Sequence, residues 1–385
     1  MFAELINEFS YRIFGHLYES QNFSGNMAFN GIGLYFLMTS INFGLRGRSR
    51  LSLSHVLNNS FGEILNESTW RYRGHSKNWC ELTNLMFEIS SLNSVLYHAC
   101  HFEKEYQNLL SELSQFHFQH FNISNKDEVK EILDQLAPGT VDKKSKHLFR
   151  NDLYDEKMMI YINTIAIHKS WYMPFDIGRK PKPKMFFEKI ANHLYVSTMA
   201  QESKYRVFDD TQNNILFIPT YPNRLFAVIV TPNAGYNIKD TIKNFRWQNL
   251  QNYYQNSTMR TMNLTLPRFT IISKLNLVNT LKHFNITHLF LPHEADISDA
   301  SNQSGHVKNL AQATVLDVNQ SGFKVGVVTE ADIVSDECNT DQNPDNTSSE
   351  STQFYVKKPF LLLVYSPHLQ MILYTAAITD PSPSN

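Results

Sequence analysis

The chain has 385 residues, 42% hydrophobic and 18% charged, an ordinary composition for a globular protein with room for a large core. A formal net charge of −1 gives no general attraction to nucleic acid or acidic membranes, and no apolar run approaches the roughly 20 residues of a membrane-spanning helix. Three cysteines, Cys80, Cys100 and Cys338, exclude a disulfide-built fold and have no metal-ligand spacing.

Residues 1–20 lack the charged start, apolar centre and small-residue cleavage site of a signal peptide. They read as a helix with Phe2, Leu5, Ile6, Phe9, Ile13 and Leu17 along one stripe, so either the chain begins with its first fold element or a leader has been removed. Ten Asn-x-Ser/Thr sequons, at Asn22, Asn66 and Asn122 among others, suit an extracellular or cell-surface protein, with a cytoplasmic one as the alternative. So Asn-rich a chain also yields several by chance.

The first 150 or so residues are mainly helical in pattern. The run Leu34 to Ile41 suits a buried helix closed by Gly44 and Gly47. Residues 50–90 are poorly patterned, and their helices cannot be placed. Asn93 to Tyr97 reads as a strand, Glu103 to Phe116 as a helix, and Asn125 to Leu136 as a second helix ended by Pro138-Gly139. Met158 to Asn163 is a near-continuous apolar run, as a strand buried on both faces requires. It leads towards Trp171 and Phe175. Asn214–Pro219, Leu225–Val230 and Met262–Phe269 alternate as strands, with turn signals at Pro222-Asn223 and Pro232-Asn233-Ala234-Gly235. Leu275 to Phe284 reads as a helix and Met371 to Tyr374 as the last strand.

The most informative stretch runs from Val318 to Phe360. From Phe323 every second residue is mostly apolar (Phe323, Val325, Val327, then Thr329, Ala331, Ile333), and the interleaved set is mostly polar, which predicts a strand with one buried face. That strand runs straight into Ser335 to Ser351, almost all Asp, Asn, Ser, Thr, Glu and Gln, which lacks the apolar surface to order itself. An insertable strand attached to a polar exposed loop is an unusual pairing.

Gly322 followed seven residues later by Thr329, with Lys358-Pro359-Phe360 beyond, resembles the reactive-centre region of the serpins. Asn163 and Trp171, the Leu266-Pro267-Arg268-Phe269 segment, Ala295-Asp296-Ile297-Ser298 and the C-terminal strand follow the family's order, so the resemblance covers nearly the whole chain. It implies an α+β serpin fold in a single domain over 1–385, a helical subdomain packed on mixed β-sheets, with an exposed reactive-centre loop from about 320 to 352. It further implies that helix 125–136 lies across the front of the main sheet. The region where that sheet opens is implied to hold Asn30, Gly33, Asn163, Trp171 and Gln312. Here the chain departs from the family: Asn30, Gly31 and Gly33 stand where Ser-Pro and a further Ser are usual, and Gln312 where a His is usual.

The implied activity is suicide inhibition of a serine protease by loop cleavage and insertion, with hinge residues Gly322, Phe323, Val325, Val327 and Thr329. Burying Phe323, Val325, Val327 and Ile333 contributes about 1.5–3 kcal/mol each. Inhibitory members usually carry small residues after the hinge glycine, whereas Phe323 is bulky, and overpacking costs about 1–3 kcal/mol. The alternative is therefore a non-inhibitory serpin acting as a binding or storage protein. Counting forward from the hinge places the scissile bond at Asp336-Glu337; counting back from Phe354 places it near Asp345. Val334 suits an elastase-like protease, Asp336 an Asp-selective one, and no Lys or Arg occurs between Lys324 and Lys357 to suit a trypsin-like one. Cys338 is a candidate for oxidation.

No Gly-x-Ser-x-Gly, His-Glu-x-x-His, phosphate-binding Gly-rich loop or Cys-x-x-Cys occurs, so no catalytic residue, metal site or cofactor is assigned. The basic stretch Arg179, Lys180, Lys182 and Lys184, interrupted by prolines, reads as an exposed extended loop able to contact a glycosaminoglycan; Arg46, Arg48 and Arg50 form a second basic group. The expected partner is a serine protease and the expected state a monomer.

Overall fold

The computed structural model describes residues 2–58, 74–98, 101–120, 159–175, 182–189, 192–222, 225–292, 294–301, 305–307, 310–327 and 352–382. The N-terminal stripe forms α1 (Phe2–Ser20), which buries Phe2, Ile6, Phe9, Ile13 and Leu17, together with Phe14 and Tyr18 on the next row. Asn7 ties this helix to the C-terminal strand: its side-chain amide donates to the Gln370 carbonyl (2.8 Å) and its side-chain oxygen accepts from Ile372 N–H (2.9 Å). After β1 (Met27–Phe29) comes α2 (Gly31–Phe43), almost wholly buried, as its mainly apolar sequence requires, with Thr39, Ser40 and Asn42 buried among the apolar residues. The poorly patterned region contains α3 (Gly47–Leu57) and α4 (Gly74–Ile89), followed by β2 (Ser91–His98), α5 (Lys104–Leu113) and β3 (Phe116–His120). The helix expected over 125–136 lies outside the described residues.

Strand β4 (Met159–Trp171) is the axis of the main sheet. On one edge it pairs antiparallel with β2, which pairs parallel with β3. On the other it pairs antiparallel with β12 (Gly322–Val327), which pairs with β11 (Ala311–Val318), which pairs with β10 (Phe269–Asn276). Beyond the apolar run that was expected to be buried on both faces, the strand has only one buried face. Ile165, Ile167 and Trp171 are buried while Ala166, His168 and Ser170 are exposed, so one face of the sheet there meets no described element.

The remaining strands form the other layers. They are β5 (Lys182–Lys189), β6 (Asn192–Asp209), β7 (Asn213–Tyr221), β8 (Phe226–Pro232), β9 (Thr258–Pro267), β13 (Thr352–Tyr355), β14 (Phe360–Ser366) and β15 (Met371–Ile378). The long β6 pairs with β5, β9 and β7 in turn, and β7 continues through β8, β14 and β15 to β1. Of the short helices, α6 (Ile238–Asn244) packs on β8 and β14, α7 (Leu250–Gln255) on β6, and α8 (Val278–His283) against α1. Two expected elements shift. Met262–Phe269 is not one strand but the end of β9 and the start of β10, broken at Arg268, whose N–H bonds to the Ser197 carbonyl (2.8 Å) instead. The segment from Leu275 stays in β10 until Asn276 because its alternation is still paired with β11, so the helix starts only at Val278.

Where helices meet sheets the core is aromatic. Phe14, fully buried, lies 6.1 Å from Tyr18, 6.4 Å from Phe29 and 5.7 Å from Trp247 by ring centroids. Phe14→Ala leaves a cavity among three rings and is expected to lower unfolding free energy by about 3–5 kcal/mol, measured by denaturant titration.

Candidate functional site

The site is the slot between β4 and β11. Six residues near the start of the expected exposed loop, Gly322–Val327, occupy it as β12. Lys324 stands opposite His168 on one side and Asp317 on the other, so both sets of backbone groups are paired. The expected start of the exposed loop at about 320 is corrected accordingly: Gly322–Val327 lie within the sheet, and residues 328–351 lie outside the described residues. The alternation explains the seating, because Phe323 and Val325 point into the core at 1% and 2% exposure while Lys324 faces out. Thr329 and the scissile-bond candidates Val334, Asp336, Glu337 and Asp345, with Cys338, lie outside the described residues.

The turn that delivers β12 is held by Trp171 and its neighbours. Asn319–Ser321 separates β11 from β12, and the Asn319 side chain organises it, accepting from Ser321 N–H (2.9 Å) and donating to Asp317 (2.7 Å). The Trp171 indole N–H donates to the Asn319 carbonyl (2.8 Å), and the Trp171 backbone N–H to the Ser321 carbonyl (3.0 Å). Phe175 N–H donates to the Gln320 carbonyl (3.0 Å). The Trp171 ring meets Phe323 and Phe175, each at 5.6 Å, so the bulky hinge residue that looked like an overpacking hazard is received by an aromatic surface. Gly322 is needed for contact rather than for dihedral freedom: a Cβ there would sit 2.0 Å from the Lys169 carbonyl oxygen. Sequence reasoning identified Trp171 and the glycine but missed Phe175, Asn319 and the Lys169 carbonyl. The Asn-Gln-Ser-Gly run was a legible turn signal.

The other proposed sheet-opening residues form a separate cluster lower on the sheet, since Asn163 and Trp171 are roughly 26 Å apart along one strand. Asn30 caps α2 by accepting from Gly33 N–H. Its backbone exchanges two bonds with the Gln312 amide: Asn30 N–H to Gln312 Oε1 and Gln312 Nε2 to the Asn30 carbonyl, each 2.8 Å. Gln312 thus replaces the usual His with a two-point latch between β11 and the start of α2. Asn163 Nδ2 donates to Ser94 (2.8 Å), while its Oδ1 and Asn30 Nδ2 are buried without partners among the described residues. Gly33 keeps this space open, because a Cβ there would lie 2.5 Å from Asn30 Oδ1 and 3.3 Å from Asn163 Oδ1.

The basic stretches fare differently. Arg179 and Lys180 lie outside the described residues, whereas Lys182 and Lys184 belong to β5, not to the expected extended loop, because β6 pairs with them in register. Lys184 donates to Thr265 (3.3 Å) and lies 5.2 Å over the Tyr355 ring. Arg46 and Arg50 both approach Asp299, which occupies them as a local ion-pair group. Among the described residues no group of three or more His, Cys, Asp or Glu side chains could hold a metal ion.

A family model of the serpins, serine protease inhibitors, matches residues 4–381. Serpin B11 of Homo sapiens is 22% identical over 395 residues, covering 97% of this chain and 98% of its own length. Among solved structures, native protease nexin-1 with heparin superposes with a TM-score of 0.79 at 16% identity, covering 99% of each chain. Thyroxine-binding globulin in complex with thyroxine gives 0.77 at 17% identity, also over 99% of each. The chain belongs to the serpin family and has its α+β fold, a family made up mostly of protease inhibitors, with some non-inhibitory members.

Two substitutions probe the site. Gly322→Ala cannot keep the contact with Lys169, so β12 is expected to leave the slot, seen as faster hydrogen exchange over 322–327 with the rest of the sheet protected. Gln312→Leu strands the Asn30 N–H, whereas the Asn30 carbonyl keeps a bond from Leu34. The expected loss is about 1–3 kcal/mol in thermal or chemical unfolding.

Proposed function

We propose that this protein inhibits a serine protease by acting as a suicide substrate. The serine hydroxyl of the protease attacks a carbonyl in the polar loop, the peptide bond breaks, the new amino terminus leaves with the downstream segment, and the upstream segment stays esterified to the protease. Freed at that end, the upstream segment continues the path β12 has begun between β4 and β11 and carries the protease with it. Serpin loop insertion is an established instance of strand addition. The observation that supports it in this chain is the two-sided pairing of Gly322–Val327 with Phe323 seated on Trp171.

Burial of Phe323 and Val325 contributes about 3–6 kcal/mol as an upper bound, and further pairing makes insertion downhill while the uncleaved fold persists kinetically. The chain acts as one domain and as a monomer in this reading, without a cofactor. The scissile bond lies among Val334, Asp336-Glu337 and Asp345. An extracellular setting is supported by exposed sequon asparagines at Asn22, Asn256 and Asn285. A weak glycosaminoglycan contact at Arg179, Lys180 and Lys182, with Lys184 at its edge, is in keeping with the heparin on the nexin-1 relative.

The second reading, a non-inhibitory binding protein, draws on the likeness to thyroxine-binding globulin. One experiment separates them: incubation with trypsin-like, elastase-like and Asp-selective serine proteases, followed by denaturing gels and melting of the nicked protein. A covalent adduct and a raised melting temperature are expected. Loop cleavage with neither result overturns inhibition.

A further inference from the structure

Away from the loop, a cleft of about 790 Å³ opens where α4, α7, β6–β9 and the turn after β14 meet, a size within the roughly 300–1,000 Å³ of small-molecule sites. Three of its residues form an aromatic cluster. Phe217 and Phe226 lie 5.4 and 5.1 Å from Tyr254, and 6.4 Å from each other. Leu85 and Ile89 of α4 and Leu369 of the turn add apolar wall.

The lysine and arginine of the cleft lie on one strand. Lys204 and Arg206, two apart on β6, face the same way, and the register sets Arg206 beside Phe217 on one flank and Met259 on the other. Arg206 is half-buried, its guanidinium carbon 5.1 Å over the Tyr254 ring. Neither cation forms an ion pair with a described carboxylate. Glu88 also lines the cleft but carries an interaction of its own, and His368 adds a further basic group. A partly exposed guanidinium held on a ring, with no described carboxylate beside it, keeps donors available to an anion in the cleft.

We propose that this cleft binds a small organic anion with an aromatic body and one carboxylate, the body against Phe226 and Tyr254, which the fully buried Phe217 backs from the core, and the carboxylate on Arg206 and Lys204. The site is separate from the slot between β4 and β11, so it stands whether or not the loop inhibits a protease. The test uses the full chain and two fluorescent probes with the same ring system, 1-pyrenebutyrate and 1-pyrenebutylamine. The acid is expected to bind saturably at one site and the amine at least about tenfold more weakly, a tenfold ratio being about 1.4 kcal/mol. Arg206→Gln and Lys204→Gln should each weaken the acid about three- to tenfold, leave the amine unchanged and retain the wild-type far-UV spectrum. Lys204 is exposed, so its variant stays informative if the Arg206 variant misfolds. The proposal is overturned if the acid shows no saturable binding up to millimolar concentration. Equal binding of acid and amine overturns it too, as does a folded Lys204→Gln or Arg206→Gln protein that binds the acid like wild type.

Discussion

The contact between Trp171 and the Asn319–Ser321 turn governs the functional half of this molecule. A strand inserted into a sheet must find register with two neighbours at once, and a slip of one residue would turn its apolar face to solvent. Here the register is set before the strand begins: the indole and backbone N–H of Trp171 hold the turn's carbonyls, and the next residues fall into place along β4 and β11. Gly322 at the start of the strand allows the Lys169 carbonyl to come close enough for this to happen.

That geometry also resolves the conflict raised by the bulky hinge. The phenylalanine is accommodated by ring contact: Phe323 packs on Trp171, which is itself backed by Phe175. Lower on the sheet the same logic recurs in polar form. Asn30 and Gln312 differ from the family's usual residues together, and the Gln312 side-chain amide is satisfied at both ends by the Asn30 backbone.

The loop slot and the cationic cleft belong to different parts of the structure. The slot depends on β4, the cleft on β6 and the helices that close against it. Strand β7 touches both, since Thr220 and Tyr221 pair with the end of β4 while Phe217 lines the cleft. This is a direct path between them of only a few residues on one strand.

Much of this was legible in the sequence. The period-two face of Phe323 and Val325, the apolar spacing of α1, the turn residues and the order of segments determined the elements, their inward faces and the family, because those properties arise from side-chain periodicity and local backbone preference. Three things needed the tertiary structure: that β12 is already seated, that Trp171 receives Phe323, and that Lys204 and Arg206 open onto an aromatic cleft. Periodicity says which face of a strand is buried but not which strands flank it, and the partners in each case come from segments far apart in the chain. The helices of residues 50–90 were obscure for the same reason: α3 and α4 carry weak apolar stripes and are held by their neighbours, as Trp79 is by Phe2, Tyr35 and Phe36.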